Sequence, residues 1–489
     1  MRFVPAFVAA SALLASTAHA GGFYLGDIGT RGMARGGAFV ASPDSLLSIH
    51  YNPAGLSQLQ GLNAEASVTF VNMGLDFNRK CPCLIADSAD GRTAAEWDAE
   101  LQSSFDDNVV SSNTTLVIPF VGASYGLPFY DLTFGVAAWG PNSGRHDWGE
   151  VVSTRRPDFA TSAAGQPGRY SGMRMANIEA NFAAAVAAQP IDGLRIGASV
   201  MLSQAGNDQT LHLWANSDLL GIQGPEDANY DAPVLLAFND YAINWSVGAS
   251  YELLPGLTIG SSFRGSRPID TEGTIDVQVP SAVIDADPPL LVVNGSKVRV
   301  QLENAPIFRA GVQYRLPHVF AAEAAVVWEG WGVQDEVVIT PIDIELEVLG
   351  NPSPLGVIRS PRNWRNTYSL RLGGELNLFD PLVNVVGGYF YEPTAIPSAF
   401  VDPSRTDFDK HGFSLGARTT FFGFTLDVSG AYIVLSGTQI RDSAKPIAGA
   451  FEGERQDFLT NVGNGDYSGG YFMVSTALSF ALDPLMGAL

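Results

Sequence analysis

From Leu62 to the end of the chain, apolar and polar residues alternate with a period of two, and the links between the alternating segments are short and long by turns. In Leu62–Phe77, Ala64, Ala66, Val68 and Phe70 share one face, while Asn63, Glu65, Ser67 and Thr69 share the other. Phe472, Val474, Thr476, Leu478 and Phe480 repeat the pattern near the C-terminus. A period of two is that of a strand. Comparable segments cover 114–126, 131–139, 173–188, 194–213, 241–253, 257–279, 298–315, 319–339, 364–378, 383–391, 408–420 and 424–439. Tight links stand at 128–130, 190–193, 255–256, 316–318, 380–381 and 422–423. Longer ones fill 78–113, 140–172, 214–240, 280–297, 340–363, 392–407 and 440–468. Apolar-out, polar-in strands joined by short turns at one end and long loops at the other predict an all-β, transmembrane antiparallel barrel of about fourteen strands.

The N-terminus supplies the address. Met1-Arg2 gives a short positive start, Phe3–Leu14 an apolar stretch, and Ala18-His19-Ala20 small residues for cleavage after Ala20. This is the pattern of a secretory signal peptide. The apolar stretch is shorter than the roughly 20 residues that a spanning helix needs. Gly21, not Cys, follows the cut, which argues against a lipoprotein anchor. The expected division is a signal peptide over 1–20, an N-terminal plug over 21–60 and a barrel over 61–489.

Composition agrees. Only 16% of residues are charged, against about 25% in soluble domains. A barrel resolves that shortage, because only alternate strand residues face lipid. The net charge of −22 excludes a nucleic-acid partner, which needs a basic footprint. The acidity either meets divalent cations and lipopolysaccharide at the outer loops or keeps the chain soluble in transit. Cys81 and Cys83 are either loop thiols or a local disulfide. They have no further ligands nearby, and the scattered histidines show no metal-ligand spacing. No metal or cofactor is expected.

Residues 21–59 are rich in Gly and Ala and end in Asn52-Pro53-Ala54-Gly55-Leu56. Asn52 is suited to bond neighbouring backbone, and Pro53 fixes the chain after it. Phe23, Tyr24, Leu25 and Phe39 either touch a ligand or pack the plug against the wall. Arg31 and Arg35 either meet a ligand carboxylate or pair with acidic residues inside the barrel.

Three stretches carry a resemblance. They are Tyr51–Leu56 (YNPAGL), then Trp364–Gly373 with Gly387–Tyr391, and Asp409–Gly416. Together they resemble the FadL-type family of outer-membrane transporters for long-chain fatty acids and other hydrophobic compounds. The resemblance implies a monomeric fourteen-stranded barrel in a Gram-negative outer membrane, with the N-terminal segment folded inside as a hatch. Asn52, Pro53, Ala54, Gly55 and Leu56 would be its gating motif. Substrate would bind in apolar sites, then leave sideways through a kink in the third strand. Either Gly135 or Gly140-Pro141 would form that kink. The plainer reading is that Gly135 relieves crowding and Gly140-Pro141 ends the strand. Fatty acids, alkanes and aromatic hydrocarbons all suit such a channel.

Two other classes share part of this pattern. A general diffusion porin would share the barrel but not the plug. An outer-membrane enzyme would need a competent nucleophile. Gly122–Gly126 matches G-x-S-x-G, but that motif works at a strand-turn-helix elbow, and here it sits inside a strand. One feature departs from expectation: Phe480 fits a terminal aromatic residue, yet Ala481–Leu489 follows it.

Overall fold

The computed structural model describes residues 26–82, 109–127, 131–140, 144–149, 168–214, 231–279, 291–348, 350–353, 355–379, 383–445 and 461–482, with parts of 93–102. The signal peptide, Phe23, Tyr24, Leu25, Cys83 and Pro141 lie outside the described residues, as do the turns at 128–130 and 380–382 and the tail from 483.

The wall is one closed antiparallel sheet of fourteen strands. We label them β1 (Gly61–Arg79), β2 (Val109–Leu127), β3 (Leu132–Trp139 and Gly144–Asp147), β4 (Arg174–Ile191), β5 (Leu194–Trp214), β6 (Asp231–Leu254) and β7 (Leu257–Arg264 and Arg267–Val277). The remainder are β8 (Lys297–Asn304 and Ile307–Leu316), β9 (Phe320–Glu329 and Glu336–Pro341), β10 (Ile358–Pro361 and Thr367–Phe379), β11 (Val383–Glu392), β12 (Lys410–Phe421), β13 (Phe424–Ile440) and β14 (Gly465–Leu482). The sheet closes where β1 meets β14, with Leu62 opposite Leu482 and Arg79 opposite Gly465. Phe480 sits in that seam opposite Ala64, its ring 5.1 Å from Phe424.

The period-two pattern works as expected. On β1, Leu62, Ala64, Ala66, Val68 and Phe70 point outward, then Asn72, Gly74, Asp76 and Asn78 take over the same face. The apolar band therefore ends at Phe70, and the strand continues beyond the hydrocarbon. A span of about 9–11 tilted residues is what the bilayer requires. The short links sit at the end where β1 begins. One of them, Phe422-Gly423, joins paired Phe421 and Phe424 with both φ positive, at 50° and 80°. That is the primed two-residue turn that suits the twist of a hairpin.

Cys81 is disulfide-bonded, and Cys83 is the chain's only other cysteine. In the first long loop, Thr93 Oγ1 accepts from Glu96 N at 3.3 Å and Glu96 Oε2 accepts from Thr93 N at 2.8 Å, a capping box. The loop Pro393–Asp409, between β11 and β12, folds inward. Its Ala395, Ile396, Val401 and Phe408 join a buried apolar cluster with Met33, Met73, Phe390, Tyr471 and Met473.

Candidate functional site: the lumen and its closures

Residues 26–60 lie within the lumen, at the end with the short links. They form two short helices, α1 (Thr30–Ala34) and α2 (Ser48–Tyr51), and a 3-10 turn at Pro53–Gln58. Small wall residues let this segment approach. A Cβ on Gly248 would lie 2.0 Å from Asn52 Oδ1, and one on Gly197 would lie 2.5 Å from the Pro53 backbone. Gly260, Gly373 and Gly388 meet the backbone of Ala41 and Arg35 in the same way. A side chain at any of these positions would push the segment off the wall. Periodicity does not reveal such glycines, because the need for them comes from what lies across the lumen.

Wall side chains hold the segment at many points. Asn52 Nδ2 donates to Val40 O at 2.8 Å and to Ala249 O on β6 at 3.2 Å, while its Oδ1 accepts from Ala54 N at 3.1 Å. It therefore caps the 3-10 turn, closes the segment on itself and ties it to the wall. Pro53 starts the turn. Ala54 O accepts from Ser57 Oγ at 2.9 Å, and Gly55 packs against Pro43. Leu56 is fully buried. Ser262 donates to Tyr51 O at 2.6 Å, and Ser429 to Thr30 O at 3.1 Å.

Arg31 and Arg35 are buried in ion pairs. Arg31 pairs with Asp44 and, at 2.7 Å, with Glu375. Arg35 meets Glu375 at 3.2 Å and Glu323 at 3.4 Å. Glu323 also accepts from Val40 N at 2.6 Å and Ala41 N at 3.0 Å. Phe39 is buried, with both guanidinium groups 5.2 Å from its ring centroid. Neither these arginines nor Phe39 lines the cavity described below. Among the positions singled out in the sequence, the structure thus brings together Asn52–Leu56, Arg31, Arg35 and Phe39 as one fastened body.

The third strand is interrupted. β4 pairs with both pieces of β3, with Asn181 opposite Trp139 and Asn177 opposite Gly144. One more residue lies between Trp139 and Gly144 than between Asn177 and Asn181, so the two pieces differ in register against β4 by one residue. β2 pairs with the inner piece alone, from Phe120–Trp139 to Leu127–Leu132. Side chains tie the outer piece to β2: Thr114 Oγ1 donates to Arg145 O at 2.6 Å, and Asp147 N donates to Ser112 Oγ at 2.9 Å. Gly140 ends the inner piece. Gly135 stands inside an unbroken ladder, paired to Ser124 and Ala185. A Cβ there would meet Leu56 and Ile49 at 3.0–3.2 Å, so it gives room to the N-terminal segment.

A cavity lies between these parts. The N-terminal segment supplies Gly26, Asp27, Met33 and Gly36. The opposite boundary includes Gly144 and His146, on the outer piece of β3. Between them stand Met73, Phe390, Ile433, Tyr471 and Met473, with three charged wall residues, Arg371, Glu392 and Lys410. About 40 Å³ is free, room for a few waters and too little for a long acyl chain until something moves. Arg371 Nη1 donates to both oxygens of Asp27 at 2.7 Å, and its Nη2 to Glu392 at 3.0 Å. Lys410 Nζ donates to Glu392 at 2.9 Å and pairs with Asp407 at 2.7 Å. Arg371 and Lys410 lie in stretches that carried the family resemblance. Their roles were not readable there, although a charge on the inward face of a strand is the signal that marks them.

A family model, the outer membrane protein transport protein family (OMPP1/FadL/TodX), matches residues 11–461. No curated protein matches in sequence. Among solved structures, a Pseudomonas aeruginosa FadL homologue is 16% identical with a TM-score of 0.69, covering 94% of this chain and 100% of its own. The P. putida toluene transporter TodX is 13% identical with a TM-score of 0.61, covering 94% and 99%. The Ralstonia pickettii toluene transporter TbuX is 12% identical with a TM-score of 0.59, over the same shares. At these identities the likeness is one of fold. With the family model spanning most of its length, the chain belongs to the OmpP1/FadL/TodX family of outer-membrane transporters of hydrophobic compounds.

Proposed function

We propose that this protein is a passive channel for long-chain fatty acids and similar hydrophobic compounds, with residues 21–60 as its hatch and the interruption of β3 as its side exit. One observation carries the reading: a single cavity touches both the N-terminal segment and the outer piece of the broken strand. Its lining is mostly apolar, and its two cations, Arg371 and Lys410, suit a carboxylate head. Each CH₂ kept out of water is worth about 0.8 kcal/mol. Release into the bilayer keeps that energy, whereas release into the periplasm loses it. A gradient is then sufficient to drive uptake.

The protein works as a monomer in this reading. Its outer strand ends, with Asp76, Asp208, Glu272 and Asp276, stand in the lipopolysaccharide zone. We read it as a channel and not an enzyme, since Ser124 of the G-x-S-x-G match lies in an unbroken ladder between Asn63 and Gly135. The likeness to the toluene transporters TodX and TbuX keeps aromatic hydrocarbons as the second reading.

The test is uptake of labelled oleate and of toluene by cells that lack their own transporters. The parent is compared with Asn52→Ala at matched surface amount. Oleate uptake by the parent and its loss in the variant is the expected result. Toluene uptake without oleate uptake would select the second reading. Oleate uptake untouched by the substitution would keep the channel and remove the gating role of the Asn52–Leu56 motif.

A further inference from the structure

The charged groups of the cavity form one chain with a closure at each end. Asp407 belongs to the inward-folded loop Pro393–Asp409, where its Oδ2 accepts from Ala395 N at 2.8 Å and Thr394 Oγ1 at 3.0 Å. It therefore holds that loop in shape while its other oxygen pairs with Lys410. Lys410 passes to Glu392, Glu392 to Arg371, and Arg371 to Asp27, on the N-terminal segment. Each cation is shared between two carboxylates, and each is buried. A nearby carboxylate, Glu329, accepts from Trp331 Nε1 at 2.7 Å and faces Glu392, Arg371 and Lys410 as well. The loop itself covers the outer side. Trp148 Nε1 donates to Pro403 O at 3.0 Å, and Phe408 packs 5.5 Å from Tyr467.

We propose that the series Asp407–Lys410–Glu392–Arg371–Asp27 sets the outer loop and the inner segment against each other, so that loosening one tightens the other. This rests on reading residues 21–60 as a hatch. The physical basis is the shared cations. In a buried, water-poor site, charges are not compensated by solvent, and hydrogen-bonded networks polarise along their length. Remove the charge of Asp27, and Arg371 draws more fully on Glu392. Glu392 is then less available to Lys410, which leans on Asp407 and holds the outer loop harder. Remove the charge of Asp407, and the same steps run in reverse to strengthen the Asp27 latch. An incoming carboxylate has two places to enter this series. In the place of Asp407 on Lys410, it frees the outer loop and leaves the hatch latched. In the place of Asp27 on Arg371, it frees the hatch and leaves the outer loop held. One anionic ligand thus opens one closure at a time, and an alkane or arene of the same length opens neither by this route.

The test is hydrogen–deuterium exchange on the full-length mature protein in nanodiscs, without ligand. Asp27→Asn should speed exchange in residues 28–51 and slow it in 394–408. Asp407→Asn should do the reverse. Cross-effects of about fivefold are expected, the low end of coupling between sites. In a Glu392→Gln background both cross-effects should vanish, because the middle of the series is cut. If either single variant leaves the far closure unchanged, or loosens it, the proposal is overturned. Should Asp27→Asn fail to assemble, Asp407→Asn reads the same coupling from a loop outside the wall. Because no ligand is present, the outcome does not depend on whether fatty acids are the cargo.

Discussion

Asn52 does three things at once that other side chains do not reproduce: it donates twice, to Val40 O and Ala249 O, and accepts once, from Ala54 N. Aspartate lacks both donors, and serine is too short to reach across. The opposite surgery makes the same point. Gly248→Ala would place a Cβ 2.0 Å from Asn52 Oδ1, so it should displace Asn52 without changing it. Each hydrogen bond lost is worth about 1 kcal/mol. Gly248→Ala is therefore expected to speed exchange in residues 40–58 as Asn52→Ala does, with the barrel's heat-modifiable migration unchanged. At this scale the sequence was legible where a motif is local. Asn52 and Pro53 form a capped turn within six residues. Asp27 and Arg371 were not, since their 344-residue separation is bridged only by closure of the barrel.

The strands were the most legible elements, because each carries its own period of two and needs no partner to show it. The alternation in Leu62–Phe77 marks β1 to within two residues at each end. Breaks within strands were harder to place. Gly135 and Gly140-Pro141 look alike as strand breakers, yet Gly135 keeps its ladder on both sides and the interruption lies beyond Trp139. The difference is set by Leu56 and Ile49, which need the space at Gly135. Just past the break, a Cβ on Gly144 would meet nothing within 4 Å, although Gly144 lines the cavity. The Cβ of a Gly144→Leu side chain therefore starts in open space, and the rest of it reaches into a cavity with only about 40 Å³ free. It should lower oleate uptake toward the background of transporter-free cells. Normal uptake by a well-folded Gly144→Leu protein would place the path elsewhere.

For the whole molecule, the lumen is divided by depth. Its inner half is filled by residues 26–60, fastened by Glu65, Glu323, Glu375 and wall hydroxyls. Above this stands the cavity, and above the cavity the loop Pro393–Asp409. A porin needs an open lumen, and here residues 26–60 fill one end while the loop Pro393–Asp409 folds in at the other. That division was only half legible: the N-terminal segment stands out by its composition and place, while the outer loop has no local period to announce it. In the proposed function, substrate leaves through the side of the barrel and not through its inner end. The direct measurement is photolabelling with a diazirine fatty acid in outer membranes, with labelled residues mapped by mass spectrometry. Labels on Met73, Phe390, Met473, Gly144 and His146 are expected. Labels running down the inner wall past Ser250, Thr258 and Gln313 would contradict lateral release.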